Sequence, residues 1–283
     1  MAGFEVTERI TVAGRRLTAA ERRVAQVILE RPQLVAFGTV ADLAGQAGAG
    51  AATVVRLAGK LGFDGFSALQ SSIRRDLSHQ LRPAVERIRE LEGTRTTERH
   101  RAAAQCNVQA TLDGVDHADL DKAVQLLGDL AHPVLVLAGD AQHGIARQFV
   151  HDLGALRAGV EILWGPDVAV QRQIATSSPG STLLVIDLRR YESWLLDAAR
   201  AAQRAGHTVI ALSDGPLSPL AMAAQVSFTL LAESVSPFES QLGTLALLEL
   251  LVTCVAERLQ ETAEQRLASV EAAWAEARSL TDG

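Results

Sequence analysis

Five short apolar runs, separated by segments of helical spacing, constrain the second half of this 283-residue chain more than any other feature. Val134-Leu135-Val136-Leu137-Ala138, Val160-Glu161-Ile162-Leu163, Thr182 to Ile186, Thr208 to Leu212 and Val226 to Leu230 all have the length of strands. Near-continuous apolar character over so few residues is what a strand covered on both faces requires. Helical spacing fills the gaps near His143 to Leu156, Asp167 to Thr176 and Trp194 to Ala205. Strand and helix alternation of this kind predicts a parallel sheet with helices packed on it. A further apolar pattern from Phe238 to Leu259 and on to Trp274 predicts one long closing helix or two. Ligands of such sheets collect beyond the carboxyl ends of the strands. The loops to search are therefore Gly139 to Gly144, Asp187 to Ser193 and Ser213 to Ala221.

The first 80 residues carry a different pattern. Residues 1 to 14 show no strong periodicity and read as a loose arm. Leu17, Val24, Val27 and Ile28 mark one face of a helix from Leu17 to Arg31, with Thr18 as its cap and Glu21 completing a capping box. Pro32 stops it, and Thr39 is placed to cap the next element. From Val40 to Gly59 the chain reads as two short helices joined by a tight turn. Leu43, Ala44 and Ala47 face inward on the first, and Val54, Leu57, Ala58 and Leu61 on the second. Gly48 sits at the corner, where glycine takes a positive φ without steric cost. A helix-turn-helix has this pattern, and its second helix can enter a DNA major groove. Gly50, Ala51 and Ala52 at the start of that helix permit close approach, while Thr53, Arg56 and Lys60 offer polar contacts to bases or phosphate. Phe63 and Phe66 are expected as core plugs behind it. Ser67 is expected to cap a helix from Ala68 to about Leu81, whose Arg74-Arg75 pair is solvated or meets a phosphate.

Charge supports the division. The whole chain carries −6. Residues 1 to 80 hold ten Arg/Lys and seven Asp/Glu, a balance of +3, which leaves −9 on the remainder. A mildly basic small domain beside an acidic larger one suits a protein that meets DNA with one part only. The two cysteines, Cys106 and Cys254, form no close pair and suggest a reduced interior rather than a disulfide framework. No apolar stretch reaches the ~18 residues of a membrane span, and the N-terminus lacks the long apolar run of a secretion signal. A cytoplasmic protein without a membrane partner is the expectation. Seven histidines are scattered without metal-ligand spacing, and no GxSxG, P-loop or GxGxxG occurs. Neither a metal nor a cofactor is expected.

The series Leu17 to Ala25, Ile28-Leu29, Pro32, Ala36-Phe37, Val40 to Ala44, Ala47-Gly48, Ala52 to Arg56 and Lys60 to Phe66 goes well beyond a generic helix pair. It resembles the N-terminal domain of the RpiR/MurR family of bacterial transcriptional regulators over about residues 15 to 78. That family usually has Ser or Thr, then Glu, where this chain has Gly50 and Ala51. Downstream, the order of elements and the Ser218-Pro219-Leu220-Ala221 tetrapeptide resemble a sugar isomerase (SIS) domain over about residues 105 to 262. The resemblance implies a homodimer or homotetramer that binds a double-stranded DNA operator and a phosphosugar. The organisation expected is an all-α DNA-binding domain at 1–80, a connection at 81–104 with Pro83 and Gly93 as breaks, and an α/β effector-binding and oligomerisation domain at 105–283 with a parallel five-stranded sheet.

The effector loops depart from the family. SIS domains commonly carry a serine in the first loop, where this chain has Gln142 or His143. A Ser-x-Ser-Gly-x-Thr/Ser phosphate cradle is expected after the third strand, where this chain reads Asp187-Leu188-Arg189-Arg190-Tyr191-Glu192-Ser193. Asp187 repels phosphate, whereas Arg189 and Arg190 can hold an anion through forked hydrogen bonds, or brace the structure by pairing with Asp187. The candidate effector residues are Gly139, Gln142, His143, Asp187, Arg189, Arg190, Tyr191, Ser193, Ser213, Ser218 and Glu239, and the expected ligand is a small anion of the phosphosugar or sugar-acid class. Glu239 is the single candidate base for an isomerase, although a helix-N-terminal Glu is more often a dipole partner. Three readings stand: a ligand-responsive transcriptional regulator that is not an enzyme, a sugar-phosphate isomerase with an accessory helical domain, and a DNA-binding protein whose SIS domain only dimerises.

Overall fold

Each of the two capping boxes in the first unit starts a helix where the side chains can close a ring on the backbone. The Thr18 hydroxyl accepts from the Glu21 amide, and the Glu21 carboxylate accepts from the Thr18 amide at 2.8 Å. Helix α1 (Ala19–Glu30) follows, then α2 (Pro32–Phe37). A Thr39–Asp42 box opens α3 (Val40–Gln46), and α4 (Ala51–Lys60) and α5 (Phe66–Gln80) complete the bundle before α6 (Ala84–Arg89). This computed structural model describes residues 17–80, 84–89, 95–189, 191–216 and 218–279, with Val6, Arg9, Ile10 and Ala13. It divides into two compact units, Met1–Glu90 and Leu91–Gly283.

The first unit buries Val24, Ile28, Leu43, Val54, Leu57 and Leu69 in one core. Val6 and Ile10 belong to the same core, which corrects the expectation of a loose arm. Arg9 fixes that segment from outside: it donates to the carbonyls of Leu61 and Gly62 and stands 4.5 Å from the centre of the Phe63 ring. Phe63 and Phe66 pack against the core as expected. Helix α5 begins at Phe66, so Ser67 lies inside it and is not its cap. The side chains of Arg74 and Arg75, and the breaks at Pro83 and Gly93, lie outside the described residues.

The second unit opens with α7 (Thr96–Asp113), which starts inside the stretch expected as a connection. Next come α8 (His117–Leu127), capped by Asp116, and β1 (Val134–Ala138). A 3-10 turn, Asp140–Gln142, leads into α9 (His143–Leu156). The chain continues as β2 (Val160–Ile162), α10 (Asp167–Thr176), β3 (Thr182–Ile186), α11 (Ser193–Arg204), β4 (Thr208–Ser213), β5 (Val226–Thr229), α12 (Leu242–Arg258) and α13 (Gln260–Ala277). The five strands are parallel in the order β2-β1-β3-β4-β5.

Strand residues alternate between two cores. Val134, Val136, Leu184, Ile186, Ile210 and Leu212 enter one with α8, α9 and α12. Leu135, Leu137, Leu183, Val185, Val209 and Ala211 enter the other with α10 and α11. The period-2 alternation of a strand explains why both residue sets are apolar and the runs look unbroken. Because β1 lies between β2 and β3, the strand order reverses there, and the carboxyl ends of β1 and β3 are where sheets of this kind place a ligand crevice.

At the opposite ends of the strands, Arg157 is the largest fully buried side chain among the described residues. Its guanidinium donates to the carbonyls of Leu127, Asp129, His132 and Ala158 at 2.6–2.9 Å. The fork thus ties the turn after α8 to the end of α9. Removing it takes the donor from the buried Leu127 carbonyl and from the part-buried carbonyls of His132 and Ala158, a loss of about 1–3 kcal/mol for a buried group. Arg157→Leu is therefore expected to lower stability by about 3 kcal/mol or more, read as a fall in urea midpoint. Arg157→Lys, with three donors and no fork, should recover only part of it.

Candidate functional site

In the first unit the helix pair forms as the spacing predicts, with Gly48 at φ +54°. Two arginines hold the turn. Arg23 donates to the carbonyls of Ala47 and Gly48 at 3.1 Å, and Arg31 to the Gln46 side chain. The α4 cap is Gly50, which supplies no side-chain acceptor, so the first amides of α4 have no capping side chain of their own. Helix N-termini of this kind favour phosphate. Ala51, Ala52, Val55, Arg56 and Gly59 form the exposed face.

Two residues expected on that face are turned to structural tasks. Thr53 is only 8% exposed and its hydroxyl accepts from Arg56 at 3.2 Å. The physical reason is helical spacing: Thr53 shares the inner face with Leu57, four residues on. Lys60 stays half-exposed, but its ammonium pairs with Glu21 at 2.8 Å. That ammonium and the Thr18 amide hold the Glu21 carboxyl down at about 2. Lys60 thus clamps α4 to α1. Val55, 47% exposed beside Arg56, was not singled out from sequence, although Ala51, Val55 and Gly59 share one helical face. An exposed apolar group there can meet a thymine methyl.

In the second unit, the crevice at the ends of β1, β3 and β4 gathers much of the candidate set. Asp187, at the end of β3, accepts from the amides of Leu188 and Glu192 at 2.9 and 2.8 Å. Glu192 reaches across to β1, where one carboxylate oxygen accepts from the Asp140 amide at 2.7 Å and the other from the Trp194 indole. Gly139 is needed at this crossing. A Cβ there would lie 2.8 Å from the Asp187 carboxylate, 3.0 Å from the Gln142 amide oxygen and 3.1 Å from the Glu192 carboxylate. On the β4 side the Tyr191 hydroxyl donates to Asp214, while Ser213 and Ser218 share a hydrogen bond of 2.7 Å. Ser218 also caps the turn at Ala221.

Burial pushes the Asp187 carboxyl up to about 6, and the neighbouring Glu192 and Asp214 carboxylates add to that rise against the two amide hydrogen bonds. Burial beside Asp214 likewise keeps the Tyr191 phenol firmly protonated. Arg189 takes a left-handed backbone, φ +60°, and its guanidinium pairs with Glu233 at 2.9 Å. It does not pair with Asp187. Glu233 in turn is held at both backbone groups by Asn107 of α7. His143 opens α9 with its ring 3.9 Å from that of Trp164, which is largely exposed. Ser193 is exposed at the first position of α11, and Glu239 lies between the 235–238 bend and α12. Arg190 lies outside the described residues. Glu192, Asp214 and Glu233 were missed as site residues. Their carboxylates are ordinary in a loop, and only the fold brings them to one crevice.

Residues 4–80 match the family described as helix-turn-helix domain, rpiR family, and residues 131–254 match the SIS domain. The HTH-type transcriptional regulator HexR of Pseudomonas aeruginosa is 28% identical over 251 residues, 86% of each chain. HexR of Escherichia coli is 25% identical over 259 residues, 88% of this chain and 87% of its own. Among solved structures, the Vibrio vulnificus NanR protein complexed with ManNAc-6P has a TM-score of 0.59 at 19% identity, covering 96% of this chain and 98% of that one. The sugar isomerase domain of the RpiR transcription factor from Sphaerobacter thermophilus gives 0.59 at 22% identity, over 62% of this chain and 97% of its own. The structural likenesses establish a shared fold.

The Asp187 environment has a measurable sign. Its folded value lies above the ordinary 3.8, so protonation favours the folded state. Stability from this group is full below about pH 4 and is lost as pH rises through about 6. Acidifying from about pH 7.5 to about pH 5 should stabilise the wild-type chain by about 1 kcal/mol relative to Asp187→Asn over the same window. Urea unfolding of both proteins at the two pH values checks it.

Proposed function

We propose that this chain, which joins a match to the rpiR-family helix-turn-helix domain to a match to the SIS domain, is a transcriptional regulator of that family whose affinity for operator DNA is set by a small sugar-class effector in the β1/β3/β4 crevice. The exposed face of α4, with Arg56 as the base-reading or phosphate-holding cation and Ala51, Ala52 and Val55 in close contact, is the DNA surface in this reading. One such helix reads only a few base pairs, so two copies are needed for a useful site. The protein accordingly works as a homodimer or tetramer, assembled through its second unit.

The observation that carries the effector reading is the link from crevice to α7. Arg189, on the loop after β3, holds Glu233, and Asn107 holds the Glu233 backbone. α7 is the first helix of the second unit, following α6 of the DNA-binding unit in the chain. A ligand that moves the β3 loop therefore acts on the helix nearest in sequence to the DNA-binding unit. An effector can shift such an equilibrium only by binding one state better than the other. A regulator, rather than an isomerase, also suits the crevice carboxylates. Asp187 and Glu192 are engaged by backbone amides, and a catalytic base must instead face the proton it abstracts. The solved neighbour NanR, complexed with ManNAc-6P, lends support to a sugar-class ligand.

Two variants test the reading on the full chain. Operator fragments are first selected from genomic DNA, and an effector is chosen from a sugar panel by its effect on DNA binding. Arg56→Ala should lose about tenfold or more in operator affinity, the scale of one base-edge contact. Glu233→Gln keeps both Asn107 bonds, which go to the backbone, but removes the ion pair. It should bind operator like wild type while its effector response falls. An unchanged response in Glu233→Gln would show that the link transmits nothing.

A further inference from the structure

The amides that a SIS-type crevice offers to an anion are already occupied here by the chain itself. Glu192 lays its carboxylate on the Asp140 amide at 2.7 Å, at the start of the turn after β1. Asp187 occupies the Glu192 amide, at the cap of α11, at 2.8 Å. These are the kinds of donors that favour a phosphate, an exposed N–H after a strand and another at a helix N-terminus. Asp214 adds a third carboxylate, held by Tyr191. Arg189, the cation of the described part of this loop, is neutralised by Glu233.

A second observation points to what the crevice accepts. Gln142 is only 3% exposed, yet its side-chain amide makes no hydrogen bond among the described residues. Its oxygen lies on the same side of Gly139 as those of Asp187 and Glu192, 3.0, 2.8 and 3.1 Å from where a Cβ at that glycine would stand. The Gln142 amide oxygen thus adds a neutral acceptor beside the two carboxylates. An approaching phosphate meets like charge at hydrogen-bond range in a partly desolvated site, where repulsion is weakly screened. A hydroxyl meets acceptors.

We propose that Glu192 is a specificity determinant that closes this position to phosphate, so that the crevice takes the uncharged, hydroxyl-bearing part of its ligand. The inference rests on the crevice being the effector site, and it refines the effector class from anionic to uncharged at this position. Glu192 acts both by filling the anion position and by its charge. The two contributions are separable, because Glu192→Gln keeps the shape and Glu192→Ala removes both.

The test uses inorganic phosphate as the probe and the full chain, titrated by calorimetry at neutral pH. Wild type should show no saturable binding in the millimolar range. Glu192→Ala should gain at least about tenfold in phosphate affinity, since the freed Asp140 amide is then open to the anion, and Glu192→Gln should fall between them. Circular dichroism confirms that each variant is folded, and the isosteric Gln variant keeps the test available if the Ala variant is not. Wild type binding phosphate as tightly as either variant would overturn the proposal. Folded variants that still bind none would overturn it too, because exclusion would then lie elsewhere. Failure of any sugar to alter DNA binding would instead count against the regulatory reading, and would leave the phosphate result standing.

Discussion

A carboxylate received by a backbone amide at the end of β1 organises the crevice of the second unit. Glu192 and Asp187 bind amides that the fold leaves unpaired at strand ends and helix starts. Charge-assisted hydrogen bonds to N–H groups are short and strong, and they recover part of the cost of burying acids. The recovery is incomplete for Asp187, whose carboxyl is pushed up to about 6 by burial and by its acidic neighbours. Other features follow from this arrangement. A Cβ at position 139 would stand 2.8 Å from the Asp187 oxygen, so any larger residue there has to displace that carboxylate. The β3 loop must turn back sharply enough to return Glu192 to β1, and Arg189 takes a left-handed backbone in doing so. Such a conformation costs about 1 kcal/mol or more for a residue with a side chain. The Arg189–Glu233 pair is placed to offset that cost.

The same loop is tied to α7 through Glu233. Asn107 is fully buried and satisfies both backbone groups of Glu233 at 2.7 and 3.0 Å, while Thr111 holds the Leu231 amide one turn further along α7. Gly243 of α12 packs so closely on this contact that a Cβ would lie 2.5 Å from the Thr111 hydroxyl. Close packing of this kind resists gradual deformation. A tenfold change in DNA affinity requires only about 1.4 kcal/mol of difference between two states. That is within the scale of one partly exposed ion pair and its surrounding contacts.

Much of the fold was legible because its signals are local. Five apolar runs, the Thr18 capping box, the Thr39 cap and Gly48 depend on residues a few positions apart, and each forms where the spacing predicts. The sites were less legible because their partners are distant. Lys60 meets Glu21 across 39 residues, and Arg189 meets Glu233 across 44. Nothing in either local segment announces the pairing, so Lys60 reads as free to meet DNA, and Arg189 as free to meet a ligand or Asp187 but not Glu233. Thr53 was misjudged for a different reason: a hydroxyl on an inward position of α4 is satisfied by Arg56, and its polarity concealed its place in the helical stripe. Val6, Ile10 and Leu17 do keep helical spacing, and a reading of that pattern would have placed the first segment in the core. Glu192 had no signal at all. It became a site residue only when β3 was placed beside β1.

The central claim, that the chain's own carboxylate holds the anion position, is tested most directly at the Asp140 amide proton by nuclear magnetic resonance of the full chain. A short bond to a carboxylate shifts such a proton strongly downfield. The account predicts a downfield Asp140 amide that ignores millimolar phosphate and moves upfield in Glu192→Gln. An Asp140 amide that is unremarkable in the free protein and shifts on adding phosphate would contradict it.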